Sequence, residues 1–223
     1  MAFDIYGTVV DPAGIADALT PVFGPQARTA TQLWREKQLE FTFRRGLMRR
    51  YVDFDICTRQ ALRLVSAQLG APLDASAEQR LLDCYLRLPA FADVKPTLET
   101  LKASGVRLLA LTNGTASSVR SLLGYAGLGD YFEQILSVDE VQTFKPDPAV
   151  YELLKRAAAP DADHVWLVSA NAFDVIGAKA CGVKAAWLRR DAARVFDTWE
   201  FSPDIVLQTL EELPLELQRR RLA

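Results

Sequence analysis

From residue 106 onward, short apolar runs alternate with stretches whose apolar residues recur at helical spacing. No other feature restricts the fold so tightly. VRLLALT (106–112), QILSV (134–138), residues 164–169, VKAAWL (183–188) and residues 204–207 predict strands. Between them, 115–126, 148–158 and 172–181 predict helices. The second opens on Pro146-Asp147-Pro148, where an acid and a proline favour a helix start, and the third ends at Gly182. Such alternation implies an α/β fold, a doubly wound parallel sheet with helices on both faces. Sites on these sheets lie beyond the carboxyl ends of the strands.

The earlier part of the chain differs. A first strand, Ala2-Phe3, runs straight into Asp4, and no strand is evident between residue 13 and about residue 88. Residues 28–43 (RTATQLWREKQLEFTF) and 54–69 (FDICTRQALRLVSAQL) carry apolar positions at helical spacing, and a further helix is expected near 76–87. The expected organisation is a core domain of residues 1–12 and 89–223, with a helical cap domain, residues 13–88, inserted over the site end of the sheet. Only Met1-Ala2-Phe3 precede Asp4, whereas a strand averages about 5–6 residues. The natural chain is therefore expected to start earlier, and the N-terminal charge to lie unusually near the sheet.

Composition narrows the chemistry. A chain of 223 residues, half of them hydrophobic, can bury a full core. A formal charge of −2 with both signs interspersed gives no footprint for nucleic acid. The basic runs Arg44-Arg45, Arg49-Arg50 and Arg219-Arg220-Arg221 read as solvated helix faces and a tail, with an oligomer contact or a substrate-attracting field as alternatives. Cys57, Cys84 and Cys181 are far apart and form no CxxC, which fits a reducing compartment rather than a disulfide or zinc framework. No signal-peptide pattern and no bilayer-length apolar run is visible, so a cytoplasmic protein with no membrane partner is expected. The single histidine, His164, is expected to open a strand in a structural role. Catalysis, if any, falls to carboxylates, arginine, lysine and amides.

Those groups collect at the strand ends. The first strand ends in Asp4 and the second in Thr112-Asn113-Gly114. The loop after the third carries Phe144-Lys145-Pro146-Asp147, and the fourth ends in Ser169-Ala170-Asn171-Ala172-Phe173-Asp174. One acid at a strand end is more often a cap or turn former than a catalyst. Two carboxylates, a hydroxyl with an amide, and an ammonium at one edge of one sheet point to a site.

This order resembles the haloacid dehalogenase superfamily, whose core is Rossmann-like, and within it the L-2-haloacid dehalogenases. The resemblance covers the whole chain. It rests on Asp4-x-Tyr6-Gly7-Thr8, Trp34-Arg35-x-Lys37-Gln38-Leu39-Glu40, Asn113-Gly114, Lys145-Pro146, Tyr151 and Ser169-x-Asn171-x-Phe173-Asp174. Phosphatases of the superfamily carry a second aspartate two residues after the first, to protonate a leaving alkoxide, and a further acid that binds Mg²⁺. Those positions are Tyr6 and Ala170 here. A halide needs no proton on leaving, and a monoanionic haloacid needs no cation. The implied activity is dehalogenation of short L-2-haloalkanoic acids to D-2-hydroxy acids, with no metal or organic cofactor. A phosphatase of the same fold and a non-catalytic binder of small acids are the alternatives.

The resemblance also implies roles. Asp4 attacks the α-carbon and forms an ester, while Lys145 keeps it ionised and aimed. Arg35, the Asn113 amide and the Phe173 ring edge cradle the halide. Thr8, Thr112 and backbone amides anchor the substrate carboxylate or Asp4. Asp174, held by Ser169 and Lys145, orients the hydrolytic water; Asn171 positions that water or the ester carbonyl. Tyr151 stays near Lys145 or Asp174. Tyr6, Leu39 and Phe54 read as apolar pocket wall, with core packing as the competing reading, and the same competition holds for Trp34, Phe173 and Tyr151. Two positions depart from the relatives: Thr112 replaces a serine, and Glu36 replaces a glutamine beside Arg35, an unfavourable charge unless it points away. A homodimer through the cap helices is common among relatives.

Overall fold

Among the described residues six strands form one wholly parallel sheet in the order β3-β2-β1-β4-β5-β6. They are β1 (Ala2–Phe3), β2 (Leu109–Thr112), β3 (Gln134–Ser137), β4 (Trp166–Ser169), β5 (Lys184–Leu188) and β6 (Ile205–Leu207). The computed structural model describes residues 1–158 and 165–221, so His164 lies outside the described residues. Although β1 has two residues, it is central: Ala2 lies opposite Leu109 of β2 and Leu167 of β4. The chain builds outward from β1 to β3, then crosses to β4 on the other side. That reversal opens a crevice between the ends of β1 and β4, where ligands of doubly wound sheets bind.

The central strands read as unbroken apolar runs because helices cover both faces; all four residues of β2 are buried. Helices α5 (Val94–Ala103), α6 (Ala116–Tyr125), α7 (Pro148–Ala157), α8 (Ala172–Ala180) and α9 (Leu213–Arg221) pack around the sheet. Their starts are chemically marked. The Thr115 hydroxyl accepts the Ser118 N–H at 3.2 Å, and the Asp147 carboxylate accepts the Ala149 N–H at 2.9 Å with Pro148 in the first position.

The expected elements do not include α5, α9 or the helix over Ala16–Phe23, which carries Pro21 inside it. Buried Val94, Leu98 and Leu101 carried the helical signal for α5, whereas α9 buries Leu213 and little else. Strand β2 starts later than expected, because Gly105 and Val106 still bond back to Lys102 and Leu101 at the end of α5.

Between β1 and β2 the chain forms α1 (Ala16–Phe23), α2 (Ala27–Met48), α3 (Phe54–Gln68) and α4 (Ala75–Tyr85). These helices rest on the loops at the carboxyl ends of the strands. The Tyr51 hydroxyl donates to Asp139 at 2.7 Å, the Ser118 hydroxyl donates to Asp55 at 2.6 Å, and the Phe43 and Phe173 rings meet edge to face at 5.1 Å. One buried apolar cluster runs unbroken from the sheet into α1–α4. Several arginines of the basic runs sit on helix faces in contact with polar neighbours: Arg44 pairs with Glu40, Arg45 bonds Gln60 and Arg219 pairs with Glu216.

The α-amino group of Met1 donates to the Arg107 carbonyl at 2.8 Å, close to the sheet as expected. Burial, reinforced by Arg107, lowers its pKa to about 6. Among the described residues no helix is long and apolar enough to cross a membrane.

Candidate active site

Strand β1 stops because the chain turns back on itself. The Ile5 carbonyl accepts the N–H groups of Val9 and Val10 at 2.9 and 3.0 Å, and Gly7 at φ +91° supplies the left-handed residue the turn requires. This turn brings the Thr8 hydroxyl to Asp4. The Asp4 carboxylate, 6% exposed, is held on both oxygens. Oδ2 accepts from Thr8 Oγ1 at 2.8 Å and from Asn171 Nδ2 at 2.7 Å, while Oδ1 accepts from Lys145 Nζ at 3.0 Å.

Lys145 spends its other two donors on Asp174 Oδ2 and the Leu111 carbonyl, both at 2.8 Å. Its backbone N–H is anchored by Asn113 Oδ1 at 3.0 Å. Burial by itself would lower the pKa of this ammonium. The charges of Asp174 and Asp4 outweigh burial, and the net direction is upward, so Lys145 stays charged. Two buried carboxylates thus share one cation. Burial raises the pKa of Asp174; Lys145 opposes the rise and the charge of Asp4 adds to it.

Asp174 Oδ1 accepts a hydrogen bond from Tyr151 Oη at 2.9 Å. Burial, then Asp174, pushes Tyr151 far above the ordinary phenol value, so it remains a donor. Gly177 permits this contact. A Cβ there would sit 2.5 Å from Tyr151 Oη and 2.7 Å from Pro146 Cβ, too close for any side chain.

Arg35 reaches the site from α2. Its Nη2 donates to the Tyr6 carbonyl at 3.1 Å and its Nη1 to Gln38 Oε1 at 2.8 Å. Gln38, fully buried, is held in turn by Thr58 at 2.6 Å and by the Tyr85 hydroxyl at 2.9 Å. The guanidinium is therefore oriented by an amide that is itself fixed. Glu36 is exposed and accepts from Gln32 at 2.8 Å, while Arg35 donates to Gln38 and Tyr6 instead.

Several expected contacts come out differently. Ser169 does not hold Asp174; its hydroxyl accepts the Asn171 N–H at 3.1 Å, because β4 ends in a turn that points Ser169 Oγ toward its own chain, and Tyr151 takes the expected place. Thr112 does not touch Asp4; its hydroxyl accepts the Gly114 N–H at 3.0 Å and closes the turn after β2. Tyr6 and Phe54 are buried in an aromatic cluster with Tyr85 and Trp34, at ring separations of 5.1 to 5.7 Å. The Tyr6 hydroxyl has no hydrogen-bond partner among the described residues.

Two cavities flank Asn171. One of about 840 Å³ is bounded by Gly7, Arg35, Phe91, Ala170 and Arg190, and one of about 290 Å³ by Leu39, Phe173, Trp187 and Arg194. Tyr6 and Phe54 line neither. A divalent cation does not suit these donors. Asp4 is already bonded to an ammonium, a hydroxyl and an amide, and a methyl group stands at Ala170.

Gln38, Tyr85 and Gly177 were not singled out as site residues. Gln38 lies one helical turn from Arg35, a spacing that places them side by side. Nothing local marks Tyr85 or Gly177.

Fold and site define a class: the chain belongs to the haloacid dehalogenase-like hydrolases, whose family model matches residues 1–182. More narrowly, it is similar to the (S)-2-haloacid dehalogenase of Pseudomonas sp. (strain YL), 41% identical over 204 residues that cover 92% of this chain and 88% of the relative. A (S)-2-haloacid dehalogenase of Pseudomonas putida is 36% identical, covering 96% of this chain and 93% of that protein. The structure of L-2-haloacid dehalogenase from Xanthobacter autotrophicus with chloropropionic acid covalently bound superposes with a TM-score of 0.92, at 31% identity and 97% coverage of both chains.

Proposed function

We propose that this protein hydrolyses the carbon–halogen bond of short L-2-haloalkanoic acids, releasing halide and a D-2-hydroxy acid through an ester on Asp4. The observation that carries the reading is the bonding of Asp4. Among the described residues Oδ2 accepts from two donors, whereas Oδ1 meets only Lys145 and keeps a lone pair for attack. Similarity to haloacid dehalogenases along nearly the whole chain supports the same substrate class.

In this reading Asp4 Oδ1 displaces the halogen from the α-carbon, inverting it, and the halide leaves with the bonding pair. Arg35, the Asn113 Nδ2 protons and the edge of Phe173 receive the growing negative charge. Thr112 and backbone amides bind the substrate carboxylate. Water then adds to the ester carbonyl carbon, giving one proton to Asp174; as the adduct collapses Asp174 returns that proton to the departing former Asp4 oxygen, the hydroxy acid leaves, and the water's second proton passes to solvent as the Asp4 carboxylate re-forms. Asn171 orients the ester. Helices α1–α4 act as the cap that supplies Arg35 and Leu39. Tyr6 and Ala170 disfavour a phosphatase, which needs an acid for the leaving alkoxide. The same reading takes the protein to be cytoplasmic, in keeping with three unpaired cysteines, and homodimeric through α2, where Leu47 and Met48 are exposed.

The test is chloride release from each enantiomer of 2-chloropropionate in EDTA, for the parent and Asp4→Asn. Chloride from the L form alone, lost in the variant, is expected. No chloride from either form would overturn the reading.

A further inference from the structure

Arg190, just beyond β5, belongs to none of the motifs at the strand ends, yet it grips the turn that carries Thr8. Its Nη2 and Nε both donate to the Thr8 carbonyl, at 2.6 and 3.2 Å. Its Nη1 and Nη2 pair with both oxygens of Asp93 at 3.0 Å, and its guanidinium carbon lies 3.6 Å from the centre of the Phe91 ring. Asp93 is fixed in turn: Oδ2 also accepts the Leu210 N–H at 2.8 Å.

We infer that Arg190, braced by Asp93, is a positioning residue that holds the Asp4 carboxylate in its attacking orientation by acting through Thr8. The inference rests on the dehalogenase reading above.

Thr8 is the hinge of the argument. Its hydroxyl donates to Asp4 Oδ2 at 2.8 Å and accepts the Ala170 N–H at 2.8 Å, while its carbonyl lies in the fork of Arg190. Pinning one residue at both backbone and side chain fixes the direction of the hydroxyl, and hence which carboxylate oxygen it occupies. Arg190 thereby joins the loops after β1 and β5 to the start of α5, across the crevice where the sheet order reverses. A fork geometry with two acceptors is a task for arginine; a lysine ammonium has no such fixed plane.

Arg190 also borders the 840 Å³ cavity, which raises the competing role of binding the substrate carboxylate directly. Its chemistry argues otherwise. Four of its N–H groups are committed to Thr8 and Asp93, and Phe91 covers one face. Little donor capacity is left for a ligand.

The experiment measures chloride released in a single turnover, with enzyme in excess of L-2-chloropropionate, together with steady-state KM. The proteins are the parent, Arg190→Met, Arg190→Lys, Thr8→Val, Thr8→Val with each Arg190 change, and Lys179→Met. Lys179 pairs with Asp204 at 2.8 Å, away from the Asp4 contacts, so its loss reports destabilisation alone. For Arg190→Met, ester formation is expected to slow by about 10-fold to 100-fold with KM changed by less than about 3-fold, as for a misplaced reacting group. In the Thr8→Val background, the same change is expected to cost less than about 3-fold, because the hydroxyl through which it acts is gone. Arg190→Lys serves if the methionine variant does not fold, with a smaller loss that again vanishes without the Thr8 hydroxyl.

Equal losses with and without that hydroxyl would overturn the inference, as would a raised KM at unchanged turnover. Chloride from the parent and Lys179→Met with additive losses would refute the inference alone. Chloride from neither would sink the dehalogenase reading and the inference with it.

Discussion

Replacing Lys145 by methionine keeps the buried stem and removes the charge that two carboxylates share. Asp4, Asp174 and the Leu111 carbonyl each lie within 3.0 Å of Nζ and lose a donor together. Removing one partner of a buried ion pair costs about 3–5 kcal/mol. At ~2–4 °C per kcal/mol for a chain of this size, the variant should melt ~6–20 °C below the parent.

The pH dependence separates charge from lost packing. In the parent the Lys145 pKa is raised, so its stabilisation is fully present below the ordinary lysine value of 10.5 and is lost only above the raised one. It therefore contributes a constant amount through neutral pH. In Lys145→Met, two buried carboxylates face each other without a cation, and burial with like-charge repulsion pushes one pKa up. The folded variant then holds a proton that the unfolded chain has released, so its stability falls as pH rises through that window. Melting followed by circular dichroism from about pH 9 to about pH 5 should show the gap between parent and variant narrowing toward acid. Chloride release should be lost throughout. A gap of the same size at every pH would refute the electrostatic account, and no gap would refute the burial account as well.

Two further expectations concern Asp174. Its raised pKa means that the carboxylate form, and with it ester hydrolysis, is lost as pH falls through a value above the ordinary 3.8; Tyr151→Phe removes a hydrogen bond that holds this pKa down, so the acid limb should move to still higher pH in single-turnover hydrolysis. An unmoved limb would detach Tyr151 from Asp174. Gly177→Ala places a Cβ 2.5 Å from Tyr151 Oη, and forcing an overpacked ring aside costs about 1–3 kcal/mol. A lower melting temperature with slower ester hydrolysis is expected, and unchanged melting would show that α8 can simply shift.

Much of the architecture was legible because it is written locally. Strand and helix periodicity, the Asp147-Pro148 start of α7 and the helical run between β1 and β2 all depend on residues a few positions apart, and the structure follows them closely. The missed helix α9 buries almost no apolar face, so periodicity had nothing to register.

The candidate site was legible as a set of residues but not as a set of partners. Asp4 meets Lys145 across 141 positions and Asn171 across 167, and strand order decides both meetings. Ser169 and Tyr151 show the difference: a serine five residues before Asp174 looked like its anchor, yet the turn after β4 directs that hydroxyl to Asn171, and a tyrosine on α7 reaches Asp174 instead. Gly177 and Arg190 matter only through atoms that packing brings within hydrogen-bond or van der Waals reach. By itself the sequence determined the parallel sheet, the helical insertion and the chemical groups at the strand ends, since local propensity and burial period act over a turn or a strand. The tertiary structure alone decided which oxygen each donor occupies, because that depends on the paths of loops far apart in the chain.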